Sequence, residues 1–182
     1  ADKFKGFKFK DRKSLPTKFY PEDTLTHTFA LIQKHGRQDC LRNPEYVQRL
    51  QQEIDLLHRN GTIDLLPYFM LDEEVCELYQ SRGLLTGPGR GSAAGLLLCY
   101  LLEITHVDPL KYGLSLDRFL TLDRIQSGKL PDIDQDLPIR DLLVDPNDAT
   151  KGWLYERFGD HVCRISTDTT LKLKSAVLDV HR

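Results

Sequence analysis

The chain has 182 residues, 40% hydrophobic and 29% charged, with 25 basic and 27 acidic side chains for a formal net charge of −2. That composition predicts an ordinary packed core and excludes collagenous, disulfide-dense or wholly disordered classes. The near-neutral balance excludes a body that attracts nucleic acid by bulk charge, and the most apolar stretch, around Leu96 to Leu102, is far too short to span a membrane.

The charge is unevenly spread. Residues 1 to 20 carry Lys3, Lys5, Lys8, Lys10, Arg12, Lys13 and Lys18 against Asp2 and Asp11. A basic arm on an acidic body fits a phosphate-binding segment, and it fits a solvated chain end equally well. Lys and Phe alternate where a signal peptide needs an apolar run. The four cysteines, Cys40, Cys76, Cys99 and Cys163, are scattered without metal-ligand spacing, so free thiols in a reducing cytoplasm are expected.

In chain order, residues 1–23 read as an edge strand or extended linker containing Pro16 and Pro21. Leu25, Phe29 and Ile32 give helical spacing over residues 24–35, with Asp23 or Thr24 as cap and Gly36 as stop. A second helix after Pro44 carries Tyr46, Val47, Leu50, Ile54 and Leu57 and stops at Asn60-Gly61. Asp72 is placed to cap a third, through Val75, Leu78 and Tyr79 to Gly83. Leu84-Leu85-Thr86 reads as a short strand, followed by a glycine-rich turn and a buried helix from Ala93 to Ile104. Leu116 to Leu122 fits helix or strand. Leu130 to Leu137 reads as a strand, Thr150 to Phe158 as a helix, Val162 to Ser166 as a strand and Thr169 to Val180 as a last helix.

Two segments carry chemistry. Leu130-Pro131-Asp132-Ile133-Asp134-Gln135-Asp136-Leu137, read as a strand, puts three carboxylates on one face. Such crowding is costly unless a cation or basic group sits among them, and hard oxygen ligands suit Mg²⁺. A solvent-facing acidic edge strand gives the same pattern. Gly87-Pro88-Gly89-Arg90-Gly91-Ser92 lets backbone N–H groups approach an anion, with the positive end of the following helix behind them. Ser92 can donate a hydrogen bond and Arg90 can grip phosphate bidentately. No Gly-Lys-Ser/Thr follows, so this is not a Walker A loop, and a simple tight turn has the same composition. The order of turn and then carboxylates is that of polymerase-beta-like nucleotidyltransferases.

The residues Gly87-Pro88-Gly89-Arg90-Gly91-Ser92-Ala93-Ala94-Gly95 also resemble a GPGRGSAAG segment of the C-family, bacterial replicative DNA polymerases. Ile104-Thr105 with Asp108-Pro109-Leu110 is similar to that family's IT-x-x-DPL. Asp117-Arg118-Phe119-Leu120, Asp123-Arg124 and Pro131-Asp132-Ile133-Asp134 with Asp136 follow in the family's order. Pro44-Glu45-Tyr46, Arg49-Leu50 and Glu53 resemble the helix before the palm core. Arg157-Phe158-Gly159 through Asp179-Val180 and Arg182 resemble the lead into the thumb.

The resemblance implies an α/β (α+β) palm, a mixed and mostly antiparallel sheet with helices on one face. Residues 24–182 form it, and residues 1–23 lie outside as an arm. It implies DNA-directed DNA synthesis on a primed template from deoxynucleoside triphosphates, in the cytoplasm of a bacterium or phage-infected bacterium. Asp132 and Asp134 become the metal-binding catalytic carboxylates for two Mg²⁺ ions. Gly89, Arg90, Gly91, Ser92, Arg118, Arg124 and Lys174 become contacts to the nucleotide phosphates. Fingers, thumb, the family's third catalytic carboxylate, a sliding clamp and other replication proteins are the implied partners. Departures are Leu137 for the usual Phe, the longer link Ile125 to Lys129, Leu178 where Arg is frequent, and the polar stretch Thr167 to Thr170. A non-catalytic module that binds DNA or a replication protein, and a different metal-dependent transferase, are the competing readings. The polymerase reading requires that folding bring the glycine-serine turn beside the aspartate segment.

Overall fold

The computed structural model describes residues 17–59, 63–91, 93–126, 132–148 and 150–162. The chain divides into two compact units, residues 1–138 and 139–182.

In the first unit, Asp23 accepts the Thr26 amide at 3.0 Å and starts α1, Thr24–Lys34. Its buried positions are Thr24, Thr28 and Ile32, while Phe29 is 40% exposed. The inward face is therefore rotated from the apolar stripe read in the sequence. The Thr28 hydroxyl meets its hydrogen-bonding need by donating to the Thr24 carbonyl at 2.8 Å. Asn43 caps α2, Pro44–Leu57, with Pro44 in the first turn, where its missing N–H costs nothing. Leu50, Glu53, Ile54 and Leu57 form the buried stripe of α2. The chain then makes a two-residue antiparallel ladder, β1 (His58–Arg59) with β2 (Ile63–Asp64).

The third helix, α3, runs Leu66–Gln80 and begins earlier than Asp72. Pro67 fits its first turn, and Asp64 accepts the Leu66 amide at 3.1 Å. The stretch expected as one buried helix is broken into a short 3₁₀ turn, Ala93–Gly95, and α4, Leu97–Leu101, with Leu96 extended between them. A 3₁₀ turn at Leu116–Arg118 and the short α5, Leu122–Gln126, follow. Helix α1 packs on α3, and α2 packs on α4. The core joins Ile32, Leu50, Leu57, Phe69, Leu98 and Phe119 with their buried neighbours.

The expectation of a mixed, mostly antiparallel sheet, and with it the polymerase-beta-like palm architecture, is wrong for this structure. Among the described residues the two-residue ladder is the only strand pairing. Leu84 to Thr86 and residues 132–137 are irregular. The physical reason lies in where their polar groups go. The Asp136 carbonyl is taken by the glycine turn instead of a neighbouring strand, and the Gln135 side chain reaches the Asp72 carbonyl on α3. The leucines of residues 96–102 are good helix formers and fill the core from α4 and its flanks.

The second unit contains α6, Trp153–Phe158, whose Trp153 and Phe158 rings meet edge to face at 5.9 Å. The Asp145 carboxylate accepts the amides of Asn147 and Asp148, closing the turn before it. The helix expected from Thr150 thus begins at Trp153. Val162 is not in a strand. The rest of that expected strand, the last helix and nearly all of the basic arm lie outside the described residues.

Two polar clusters fix the helices of the first unit. Glu53, fully buried, accepts the amides of Leu97 and Leu98, each at 2.8 Å, and Arg49 Nε at 2.8 Å. Burial pushes its pKa up, and these donors oppose that rise. Arg49 also donates to the carbonyls of Gly95 (2.6 Å) and Leu114 (3.3 Å). In the second cluster, His35 Nε2 lies 2.8 Å from Glu73, and Lys34 Nζ lies 3.2 Å from Glu73 and 3.3 Å from Glu77. His35, Glu73 and Glu77 could together ligate a cation, but the Lys34 ammonium already bridges both carboxylates, so an ion would have to displace it. Arg37 stacks on Tyr100, donates to the Tyr100 carbonyl at 2.6 Å and pairs with Glu103, closing the end of α4.

Cys76 and Cys99 are buried free thiols and Cys40 is a half-buried one, as expected. Burial pushes Cys76 up to about 12, which makes it inert as a nucleophile.

Glu53→Ala strands two buried amides and the Arg49 guanidinium. It is expected to cost about 3–5 kcal/mol in urea denaturation, the range for breaking a buried pair. Asp72 makes a second prediction. Its Oδ2 is buried without a hydrogen-bond partner, and burial pushes the carboxyl from 3.8 up to about 7. The native state then keeps a proton that the unfolded chain releases, so this group's stabilisation falls as pH rises from about 4 to about 7. Asp72→Asn removes that fall. Its melting temperature, compared with wild type, should gain steadily across that window and no further above it.

Candidate active site

The acidic segment and the glycine turn lie side by side. The Gly87 amide donates to the Asp136 carbonyl at 2.8 Å. A Cβ on Gly87 would fall 2.7 Å from the Asp136 Cβ, so only glycine permits this approach. A Cβ on Gly91 would lie 3.7 Å from an Asp134 carboxylate oxygen. Arg90 Nη1 sits 3.0 Å from Asp136 Oδ1, an exposed ion pair. The glycine part of the turn, Gly87 to Gly91, therefore lies beside Asp134 and Asp136, while Ser92 falls outside the described residues.

The turn is backed by the segment that follows α4. Gly89, at φ +116°, presses on Thr105, whose methyl would be 2.9 Å from an added Cβ. The His106 amide donates to the Pro88 carbonyl at 2.9 Å, and the His106 ring lies 3.3 Å from the Thr86 hydroxyl. Asp108 accepts the Leu110 and Lys111 amides and the Tyr46 hydroxyl, the last at 2.6 Å. This loop is therefore held from α2.

Along the acidic segment, exposure alternates. Asp132, Asp134 and Asp136 face solvent, whereas Ile133 and Gln135 are half-buried. The alternation expected of a strand is present without strand pairing. Ile133 packs against the core. Gln135 Nε2 donates to the Asp72 carbonyl on α3 at 3.3 Å. Burial pushes the Tyr68 phenol up to about 12, so it stays neutral.

Among the residues anticipated from sequence, the structure places Gly91 beside Asp134 and pairs Arg90 with Asp136; Asp132 is exposed two residues before Asp134. Arg118 and Arg124 fall in the Leu116–Arg118 turn and in α5. Their side chains, and Ser92 and Lys174 entirely, lie outside what the structure describes. One anticipated contribution is missing. The Leu97 and Leu98 amides at the start of α4 are taken by Glu53, so α4 offers them to no anion.

Gln135 was not anticipated, though it carried a signal, since a polar residue on the inward side of an alternating segment needs a buried partner.

Asp132 and Asp134 have no ion-pair partner among the described residues, whereas Arg90 neutralises Asp136. Asp132 and Asp134 offer oxygen donors of the hard type that a divalent cation takes, but among the described residues the three aspartates of this segment do not converge as His35, Glu73 and Glu77 do. A separate recess of about 470 Å³ in the second unit, lined by Asp141, Asp145, Lys151, Tyr155 and Glu156 among others, contains none of the anticipated residues. No helix among the described residues is long and apolar enough to cross a membrane.

Comparison with known proteins identifies the family. DNA polymerase III subunit alpha of Ureaplasma parvum is 41% identical over 143 residues, covering 77% of this chain and 13% of the relative. That of Bacillus subtilis is 39% identical over 140 residues, covering 75% and 11%. That of Escherichia coli is 34% identical over 162 residues, covering 88% and 13%. The chain spans 11–13% of the length of these relatives. The model of the family described as bacterial DNA polymerase III alpha NTPase domain matches residues 23–182, and the chain belongs to that family.

Proposed function

We propose that this chain carries part of the catalytic centre of a DNA-directed DNA polymerase, the part that binds the divalent cations and the triphosphate of the incoming nucleotide. The observation that supports it best is the apposition of the glycine turn and the Asp132–Asp136 segment, joined by the Gly87–Asp136 hydrogen bond. The relatives bear the name of a DNA polymerase subunit.

In this reading Asp132 and Asp134 hold two Mg²⁺ ions. When bound, these ions supply activation of the primer 3′-hydroxyl and charge neutralisation at the triphosphate. The chain's own residues do the rest by positioning and electrostatics. The backbone at Gly89 and Gly91 lets phosphate oxygens come close, and Ser92 donates a hydrogen bond. Arg90 exchanges Asp136 for a phosphate, where it can bind bidentately. Arg118, Arg124 and Lys174 add positive charge. Primer-template DNA, fingers, thumb and a third carboxylate complete the enzyme, in cis or in trans, with a sliding clamp among the further partners.

Mn²⁺ titration followed by electron paramagnetic resonance tests the cation site. The wild-type chain is expected to bind Mn²⁺ more tightly with a deoxynucleoside triphosphate present. The double variant Asp132→Asn, Asp134→Asn is expected to lose at least about tenfold in affinity, the scale on which even outer-shell changes register. Unchanged binding in that variant overturns the reading. A non-catalytic module is indicated instead if wild type and variant bind primed DNA alike and neither binds the triphosphate. Gly87→Ala should weaken Mn²⁺ binding without touching a ligand, because the new Cβ displaces Asp136 and the segment it ends. Equal affinity in Gly87→Ala and wild type would show that the contact does not matter.

A further inference from the structure

Three of the five residues from Gly87 to Gly91 are glycines. Glycine has too little conformational preference to shape a turn by itself, so a turn of this composition takes its form from what it lies against. Gly87 is fixed by the Asp136 carbonyl, which accepts its amide at 2.8 Å. The next two residues are gripped by the segment after α4. The Pro88 carbonyl accepts the His106 amide at 2.9 Å. Gly89, at φ +116°, lies on the Thr105 side chain: a Cβ built on Gly89 would stand 2.9 Å from the Thr105 methyl and 3.1 Å from the Thr105 Cβ.

Thr105 is itself firmly placed. Helix α4 ends in a Schellman motif, in which the Glu103 amide donates to the Tyr100 carbonyl at 3.2 Å and the Ile104 amide to the Cys99 carbonyl at 2.9 Å. The motif puts Glu103 at φ +58°, a left-handed position usually left to glycine. Such strain persists only where the surroundings over-determine it, and Arg37 supplies the constraint. Its guanidinium stacks on the Tyr100 ring, pairs with the Glu103 carboxylate at 3.1 Å and donates to the Tyr100 carbonyl at 2.6 Å. The Thr105 amide joins that of Ile104 on the Cys99 carbonyl, at 3.1 Å. A fully buried threonine is thereby delivered against one glycine of the turn.

The two branches of this threonine are not equivalent. The methyl touches Gly89, whereas the hydroxyl is buried and has no hydrogen-bond partner among the described residues. An unpartnered buried hydroxyl costs stability, so what Thr105 gives the turn it gives through the methyl.

We propose that Thr105 is a positioning residue for the phosphate-binding turn, its methyl being the shelf that keeps Gly89 at positive φ and sets the direction of the backbone N–H groups from Gly89 to Gly91. The proposal rests on the triphosphate-binding reading above and adds a residue that touches neither nucleotide nor cation. Without the methyl, Gly89 is free to sink into the space beneath it and turn its peptide away from the anion. One lost hydrogen bond to a charged group corresponds to about tenfold or more in affinity.

The test uses the magnesium complex of inorganic tripolyphosphate as probe and the full ¹⁵N-labelled chain, with binding followed at the Gly89 and Gly91 amide resonances. Thr105→Ser removes the methyl and keeps the hydroxyl. Thr105→Val keeps the shape and removes the hydroxyl. The serine variant is expected to bind at least about tenfold more weakly, with its Gly89 resonance displaced before any probe is added. The valine variant is expected to bind as wild type does and to melt no lower. Wild-type affinity in Thr105→Ser overturns the positioning role and leaves the anion site standing. A tenfold loss in Thr105→Val at an undiminished melting temperature moves the effect to the hydroxyl and overturns the proposal as well. Absence of any probe-induced shift at Gly89 and Gly91 in wild type is a different failure. It removes the anion reading itself, and the positioning role with it.

Discussion

The Glu53 carboxylate stands where α2 meets α4, and it receives the amides of Leu97 and Leu98 together with the Arg49 guanidinium. A charge fully removed from water is tolerable only when its lone pairs are filled, and here both oxygens are. The same Arg49 holds the carbonyls of Gly95 and Leu114. The segments on either side of α4 are thereby tied to one point on α2. The glycine turn leads directly into this region, so its exit is anchored before any ligand arrives. A short helix of five residues would be marginal by its own propensity. Buried capping supplies what length cannot.

The candidate site is assembled from irregular backbone on a helical support. Helix α3 holds the acidic segment from within, the loop at Thr105 and His106 holds the turn from behind, and the Gly87–Asp136 bond joins the two. None of these contacts is a strand ladder. The glycine turn and the carboxylates are still neighbours, as the proposed function requires. The fold does this without the sheet that the resemblance implied.

Much of this was legible in the residues. The caps at Asp23 and Asn43, the stop at Gly36 and the helix after Pro44 follow from local hydrogen-bonding chemistry, which the sequence carries directly. The glycine turn and the alternation of Asp132, Ile133, Asp134, Gln135 and Asp136 were legible for the same reason. The sheet was misread because period-two alternation reports which side chains face inward, not what the backbone pairs with. The extent of α4 was misread because an unbroken apolar run carries no period, and the break before Leu97 depends on an acceptor 44 and 45 residues away from the amides it takes, at Glu53. Asp72 shows the same limit. It reads as a cap, yet Pro67 and Asp64 had already started the helix.

The ion pair between Arg90 and Asp136 has one further consequence. In the proposed site this one guanidinium is both counter-charge for the acidic face and a partner for a bound phosphate. An anion that recruits Arg90 leaves Asp136 bare, and the face beside it becomes more negative at that moment. Cation uptake is then favoured by anion uptake, and linkage makes the favour mutual. Both groups are half in water, so the coupling is modest and weakens with salt. Its direction is fixed all the same: charge of each sign enters more readily in the company of the other.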